Sequence, residues 1–169
     1  MEKIYLSRDA KDGENVQKLF DCVVAAEMER GLTLEEIQYK YTHGFCGLIA
    51  QFVKITMETK LDRKVMVKNV AMDLDSGNSQ AKVEHVYVTV KPDVADPTNI
   101  FARDYYDVFG KHTQQEMSDE VKNPYFIDQE IIAKHRHITD AFQEERDAFN
   151  EITDKCYECI EVEEQTPIQ

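Results

Sequence analysis

The chain has 169 residues, 42% hydrophobic and 31% charged, which suits one domain with enough apolar side chain for its own core. Its 20 lysines and arginines against 33 aspartates and glutamates give a formal charge of −13. That opposes unspecific attraction to nucleic acid or to an anionic membrane surface, and neither is expected as a partner. Glycine occurs six times and no GxGxxG or GxxxxGK run exists, so no phosphate-cradling loop and no cofactor are expected.

The opening Met1-Glu-Lys-Ile-Tyr-Leu6 runs straight into polar sequence, so a signal peptide or membrane span is not expected and a cytoplasmic location is. In such a reducing compartment Cys22, Cys46, Cys156 and Cys159 are expected as free thiols. One domain over 1–169 is expected, with N-terminal helices over 1–43, a cysteine helix and sheet over 44–112, and C-terminal helices over 113–169.

Residues 14–30 place Val16, Leu19, Phe20, Val23, Val24 and Met28 at spacings of three and four, a helical stripe ending at Gly31. Thr33-Leu-Glu-Glu36 is a capping-box pattern that opens a short helix to about Tyr41, and His43-Gly44 breaks it. From Cys46 to about Leu61 apolar residues surround most of the circumference, which predicts a central, buried helix with Cys46 in its first turn. Residues 65–74 and 83–90 are rich in β-branched side chains and flank the turn cluster Asp75-Ser-Gly-Asn-Ser79, so they predict antiparallel neighbours. Residues 99–109 predict a third strand stopped by Gly110. Thr113-Gln-Gln-Glu116 is another capping box.

From about Phe126 to Ile160 the pattern predicts one long helix with Ile131, Ile138, Phe142, Phe149, Ile152 and Cys156 in a seam. That seam is expected to pack on the first helix or on its equivalent in a homodimer. Between residues 143 and 164 nine acids stand against Arg146 and Lys155, which reads as a solvated acidic face. The layout expected is α+β, helices around a small antiparallel sheet.

The chemistry lies in the order cysteine, histidine, carboxylate. A thiol at a helix N-terminus meets unsatisfied amides and the positive end of the macrodipole, and an imidazolium beside it favours the thiolate further. Cys46 is placed for both effects, and Gly47 after it leaves the backbone open to an acyl group. A small core residue is the competing reading of Cys46. His85, on the second strand, is the preferred base, with His43 and His112 as rivals. Asp107, an acid within the apolar run Tyr105, Tyr106, Val108, Phe109, is the preferred orienter of the ring, with Asp104 as rival. Val86, Val88 and Val90 share one strand face and Val83, His85 and Tyr87 the other, which leaves open which face meets the helix.

Phe45-Cys46-Gly47-x-x-Ala50, His85-Val-Tyr-Val-Thr-Val90 starting 39 residues later and Tyr106-Asp107-Val-Phe-Gly110 resemble the papain-like and transglutaminase-like cysteine enzymes, especially minimal bacterial toxin, effector and phage versions. The resemblance covers about residues 44–110. It implies a papain-like core, a Cys46–His85–Asp107 triad, and hydrolysis, deamidation or transamidation of an amide in a protein or peptide substrate. Gly44, Phe45, Gly47 and Tyr87 are the residues expected to line the substrate site.

Two other readings remain beside this one. An acidic interaction module or inhibitor, mimicking the charge of nucleic acid on a basic partner, would use the carboxylates and be indifferent to Cys46. Cys156-Tyr-Glu-Cys159 with His135 and His137 would make four zinc ligands, but about 20 residues of helix separate the pairs by roughly 30 Å, so no metal is expected.

Overall fold

A computed structural model of the chain describes residues 2–73, 82–92, 95, 97–119 and 129–160. Among them, in chain order, are helices α1 (Glu2–Glu29), α2 (Leu34–Lys40) and α3 (Cys46–Leu61), strands β1 (Met66–Asp73), β2 (Lys82–Val90), β3 (Asp104–Asp107) and β4 (Gly110–His112), then helices α4 (Gln114–Asp119), α5 (Gln129–Asp140) and α6 (Phe142–Cys156) and a 3-10 turn over Tyr157–Cys159. The architecture is α+β, as the sequence predicts. Among the described residues no helix is long and apolar enough to cross a membrane.

The helix starts follow local chemistry. Thr33 caps α2: its hydroxyl accepts from the Glu36 amide at 3.2 Å and the Glu36 carboxylate accepts from the Thr33 amide at 3.0 Å. Thr113 Oγ1 accepts from the Glu116 amide at 3.2 Å ahead of α4. Helix α3 begins at Cys46 and ends at Leu61, where Asp62 turns the chain with φ +51°. It buries Ile49, Ala50, Val53 and Met57, but Ile55 is 54% exposed. One face of α3 is therefore buried, where a helix buried all round was expected.

The sheet is antiparallel in the order β1-β2-β3-β4. β1 and β2 pair from Met66↔Thr89 to Asp73↔Lys82; the turn expected at 75–79 lies outside the described residues. β2 and β3 pair only from Val88↔Tyr106 to Val90↔Asp104. The third strand is shorter than expected, and Gly110 does not stop the sheet. Instead Val108 and Phe109 form a two-residue turn, and Gly110, at φ +111°, starts the return strand β4 opposite Asp107.

Alternation along β2 sends Val86, Val88 and Val90 to one face and His85, Tyr87 and Thr89 to the other. The valine face meets the helices: Val88, Val90 and Tyr106 share a core with Val16, Leu19, Phe20 and Val23 of α1 and the buried face of α3. On the other face cross-strand partners align Thr89 with Tyr105 and Tyr105 with His112, so His85, Tyr87, Tyr105, Asp107 and His112 lie together.

The C-terminal helix expected as one piece is two. α5 and α6 part at Ala141, which has neither a glycine nor a proline beside it, because they serve different neighbours. α5 lies along α2, with His135 Nε2 2.9 Å from Glu35 and His137 Nε2 3.5 Å from Glu36. α6 lies along α1, and its Phe149, Ile152 and Cys156 enter the common core. Ile138, Phe149, Ile152 and Cys156 of the expected seam are thus buried within the chain, while Phe142 keeps 40% exposure and packs 4.9 Å from Phe45.

Two polar devices join the helices. Lys40, fully buried, places Nζ 2.6 Å from Glu27 and 2.9 Å from Glu145, with Arg30 bridging the same two carboxylates and Tyr41 donating to Glu27 at 3.0 Å. Cys22 of α1 is disulfide-bonded to Cys159, 137 residues later. This overturns the expectation of four free thiols, which rested on compartment alone; Cys46 and Cys156 remain free.

Candidate active site

The chain between α2 and α3 delivers Cys46. Gly44 takes φ +122°, a conformation that L side chains rarely adopt, and turns the backbone into α3. Phe45 follows, its amide donating to the Lys40 carbonyl at 3.2 Å and its carbonyl accepting from Ile49 at 3.0 Å. No side chain caps α3 and no acid stands in its first turn, so its free amides and macrodipole act on Cys46 undiminished.

Cys46, half-buried, meets β2 where β3 no longer flanks it. The thiol hydrogen-bonds with His85, and the backbone amides of Val86 and Gly47 also favour its anion. Burial alone would push the thiol up, but these contacts and the charge on His85 bring it below the ordinary thiol value. His85 is fully buried, and its Nε2 lies 3.0 Å from Oδ2 of Asp107. Burial pulls the imidazole down, yet Asp107 and Cys46 raise it to about 8. Asp107, which burial would raise, is held below the ordinary carboxylate value by His112 and His85.

The β3–β4 turn fixes the carboxylate. Oδ1 of Asp107 accepts from the Phe109 amide at 2.9 Å and lies 2.8 Å from His112 Nε2. His112 therefore holds the far oxygen of Asp107, away from the thiol. His43 borders the group: its ring stacks on Tyr39 at 4.1 Å, with Nδ1 3.1 Å from the Tyr39 carbonyl. Burial lowers its pKa, and the charge of His85 lowers it further. Asp104 points to the other sheet face and pairs with Lys111 at 3.3 Å.

The residues expected to line a substrate site divide. Gly44 is exposed, and a Cβ added at Gly47 would meet nothing within 4 Å, so the backbone on that side of Cys46 is open. Phe45 and Tyr87 correct the expectation, being 1% and 0% exposed. Phe45 packs against Phe142 and Phe149 in the core, and Tyr87 backs His85 edge-on at 4.6 Å.

Sequence reasoning placed His112 only as a rival base and missed its contact with Asp107. The signal was Asp107-Val-Phe-Gly110, an acid three residues before a glycine at a strand end, which marks a hairpin that returns the chain past the acid. It also missed Cys22, which α1 brings beside Cys156 and Cys159, the three sulfurs lying within 4.8 Å of one another. His135 and His137 are held by α2 and take no part in that group.

Comparison with protein-family models, with curated proteins and with solved structures finds no match.

Proposed function

We propose that the chain is a cysteine-dependent hydrolase or acyltransferase of papain-like or transglutaminase-like type, acting on an amide in a protein or peptide. The observation that carries this reading is the relay in which His85 meets Asp107 through Nε2 at 3.0 Å and also hydrogen-bonds with the Cys46 thiol. A lowered thiol beside a raised imidazole favours the thiolate–imidazolium pair at neutral pH. Such a pair needs no further base to start the reaction.

In this mechanism Cys46 Sγ attacks the amide carbonyl carbon, and the oxyanion forms near the amides at the head of α3. The His85 imidazolium gives its proton to the leaving nitrogen, the C–N bond breaks, and an acyl thioester remains on Cys46. Neutral His85 then takes a proton from the incoming water or amine. That nucleophile releases the acyl group as an acid or a new amide, and Cys46 leaves as the thiolate. Asp107 keeps the ring oriented and stabilises its charge throughout.

The test is trapping by a set of peptidyl acyloxymethyl ketones, with the adduct mapped by mass spectrometry. The expected adduct is on Cys46, and His85→Ala abolishes it. No adduct on Cys46, or one that His85→Ala leaves untouched, rejects the reading.

A further inference from the structure

We propose that in the reduced chain Cys22, Cys156 and Cys159 close on one zinc ion. The three residues come from the middle of α1, the last turn of α6 and the 3-10 turn after it, and their sulfurs already lie within 4.8 Å of one another. Tetrahedral zinc with Zn–S near ~2.3 Å needs sulfurs roughly 3.8 Å apart, so shifts of about an ångström suffice. The disulfide between Cys22 and Cys159 uses two of these sulfurs and gives no account of the third. Cys156, 1% exposed, sits beside that bond, three residues before Cys159 in a Cys-x-x-Cys turn, a spacing from which zinc commonly takes two thiolates.

The turn is held from outside as a metal loop requires. Lys60 of α3 sends Nζ to the Tyr157 carbonyl at 2.6 Å and to the Ile160 carbonyl at 2.7 Å, bracketing Cys159. Its ammonium also offsets the single negative charge that three thiolates leave on Zn²⁺. Soft thiolate donors in this number select zinc over hard cations.

The chemistry balances in two steps. A dithiol reductant supplies two electrons and two protons to the Cys22–Cys159 bond and departs as its own disulfide. Zinc then displaces the protons of the three thiols, with water in the fourth position. The site is thus an alternative to the disulfide, and either one fastens α1 to the end of α6.

The test titrates full-length reduced protein with Co²⁺ under nitrogen. Thiolate-to-cobalt charge-transfer absorption should saturate at one equivalent, vanish on adding Zn²⁺, survive Cys46→Ser and be lost in Cys156→Ser. Absorption that is absent, or that Cys156→Ser leaves intact, overturns the site. Should Cys156→Ser fail to fold, alkylation of the unaltered chain decides: zinc should slow labelling of Cys22, Cys156 and Cys159 by roughly tenfold or more and leave Cys46 unchanged. Protection of none of the three, or of Cys46 alone, overturns it too.

Discussion

His112 Nε2 stands 2.8 Å from Oδ1 of Asp107 while His85 Nε2 stands 3.0 Å from Oδ2, so one buried carboxylate is shared between two rings. With the Phe109 amide also on Oδ1, the plane of the carboxylate is fixed by its own hairpin. His112 thus acts on the thiol through two intermediaries. His112→Asn should slow alkylation of Cys46 at pH 6–7 several-fold and shift its pH profile upward, with Asp107→Asn slower still. Rates indistinguishable from the unaltered chain would show that the second ring is mere packing.

The thiol itself gives the next prediction. Iodoacetamide should modify Cys46 at pH 6 far ahead of Cys156, whose thiol burial pushes up to about 11 in spite of Lys155. In the rate profile the inflection of Cys46 should fall below the ordinary ~8.5 of a thiol. His85→Ala should carry that inflection above the ordinary value, because the burial that disfavours the thiolate stays when the imidazole is gone. Peptide mapping across a pH series reads both. An inflection in the ordinary range with and without His85 would remove the thiolate–imidazolium pair.

What the sequence made legible was local. The start of α3 at Cys46, the Thr33 capping box and the pairing of β1 with β2 follow from periodicity and caps, and the structure has them at those residues. The rest depended on contacts distant in sequence. Ala141 breaks the C-terminal helix with no breaker residue near it, because α2 and α1 each claim one half. Cys22 and Cys159 are 137 residues apart, and spacing alone fixes no pairing. Phe45, next to the thiol in sequence, is among the residues expected to line the substrate site. In space the helix start turns its ring into the core, under Lys40 at 4.8 Å.

The relay should also mark the pH dependence of stability. His85 binds its proton more tightly folded than unfolded, so its contribution is complete below about 6.5 and is lost as pH rises through about 8. Asp107 has the opposite sense: its contribution is complete above the ordinary carboxylate value and is lost as pH falls through its lowered one. Between these two groups stability should therefore be greatest from about pH 5 to 6.5 and fall by at most ~2 kcal/mol toward pH 9 on account of His85, a fall that the lowered Cys46 thiol reduces because its own contribution grows as pH rises toward the ordinary thiol value. Urea midpoints measured from pH 5 to 9 would show it, and Asp107→Asn should flatten the alkaline slope. An unchanged slope in that variant would mean the loss arises elsewhere.

Lys40 supplies the last prediction. Its ammonium and the Glu27 carboxylate are both fully buried 2.6 Å apart, and the same ammonium reaches Glu145 and lies over the Phe45 ring. Removing one member of a buried pair leaves the other charged and desolvated, at a cost of about 3–5 kcal/mol. Lys40→Met keeps the aliphatic stem and deletes the charge, so Arg30 and Tyr41 are left to satisfy Glu27. For a domain of this length that predicts a fall in Tm of roughly 8–15 °C. The double variant Lys40→Met, Glu27→Leu should recover more than half of the loss, since the stranded carboxylate is gone as well. Because Lys40 also seats Phe45 directly before Cys46, Lys40→Met should slow Cys46 alkylation in the folded protein, and the double variant should not restore that rate. A Tm within 2–3 °C of the unaltered chain for Lys40→Met, about 1 kcal/mol, would mean that water reaches the pair.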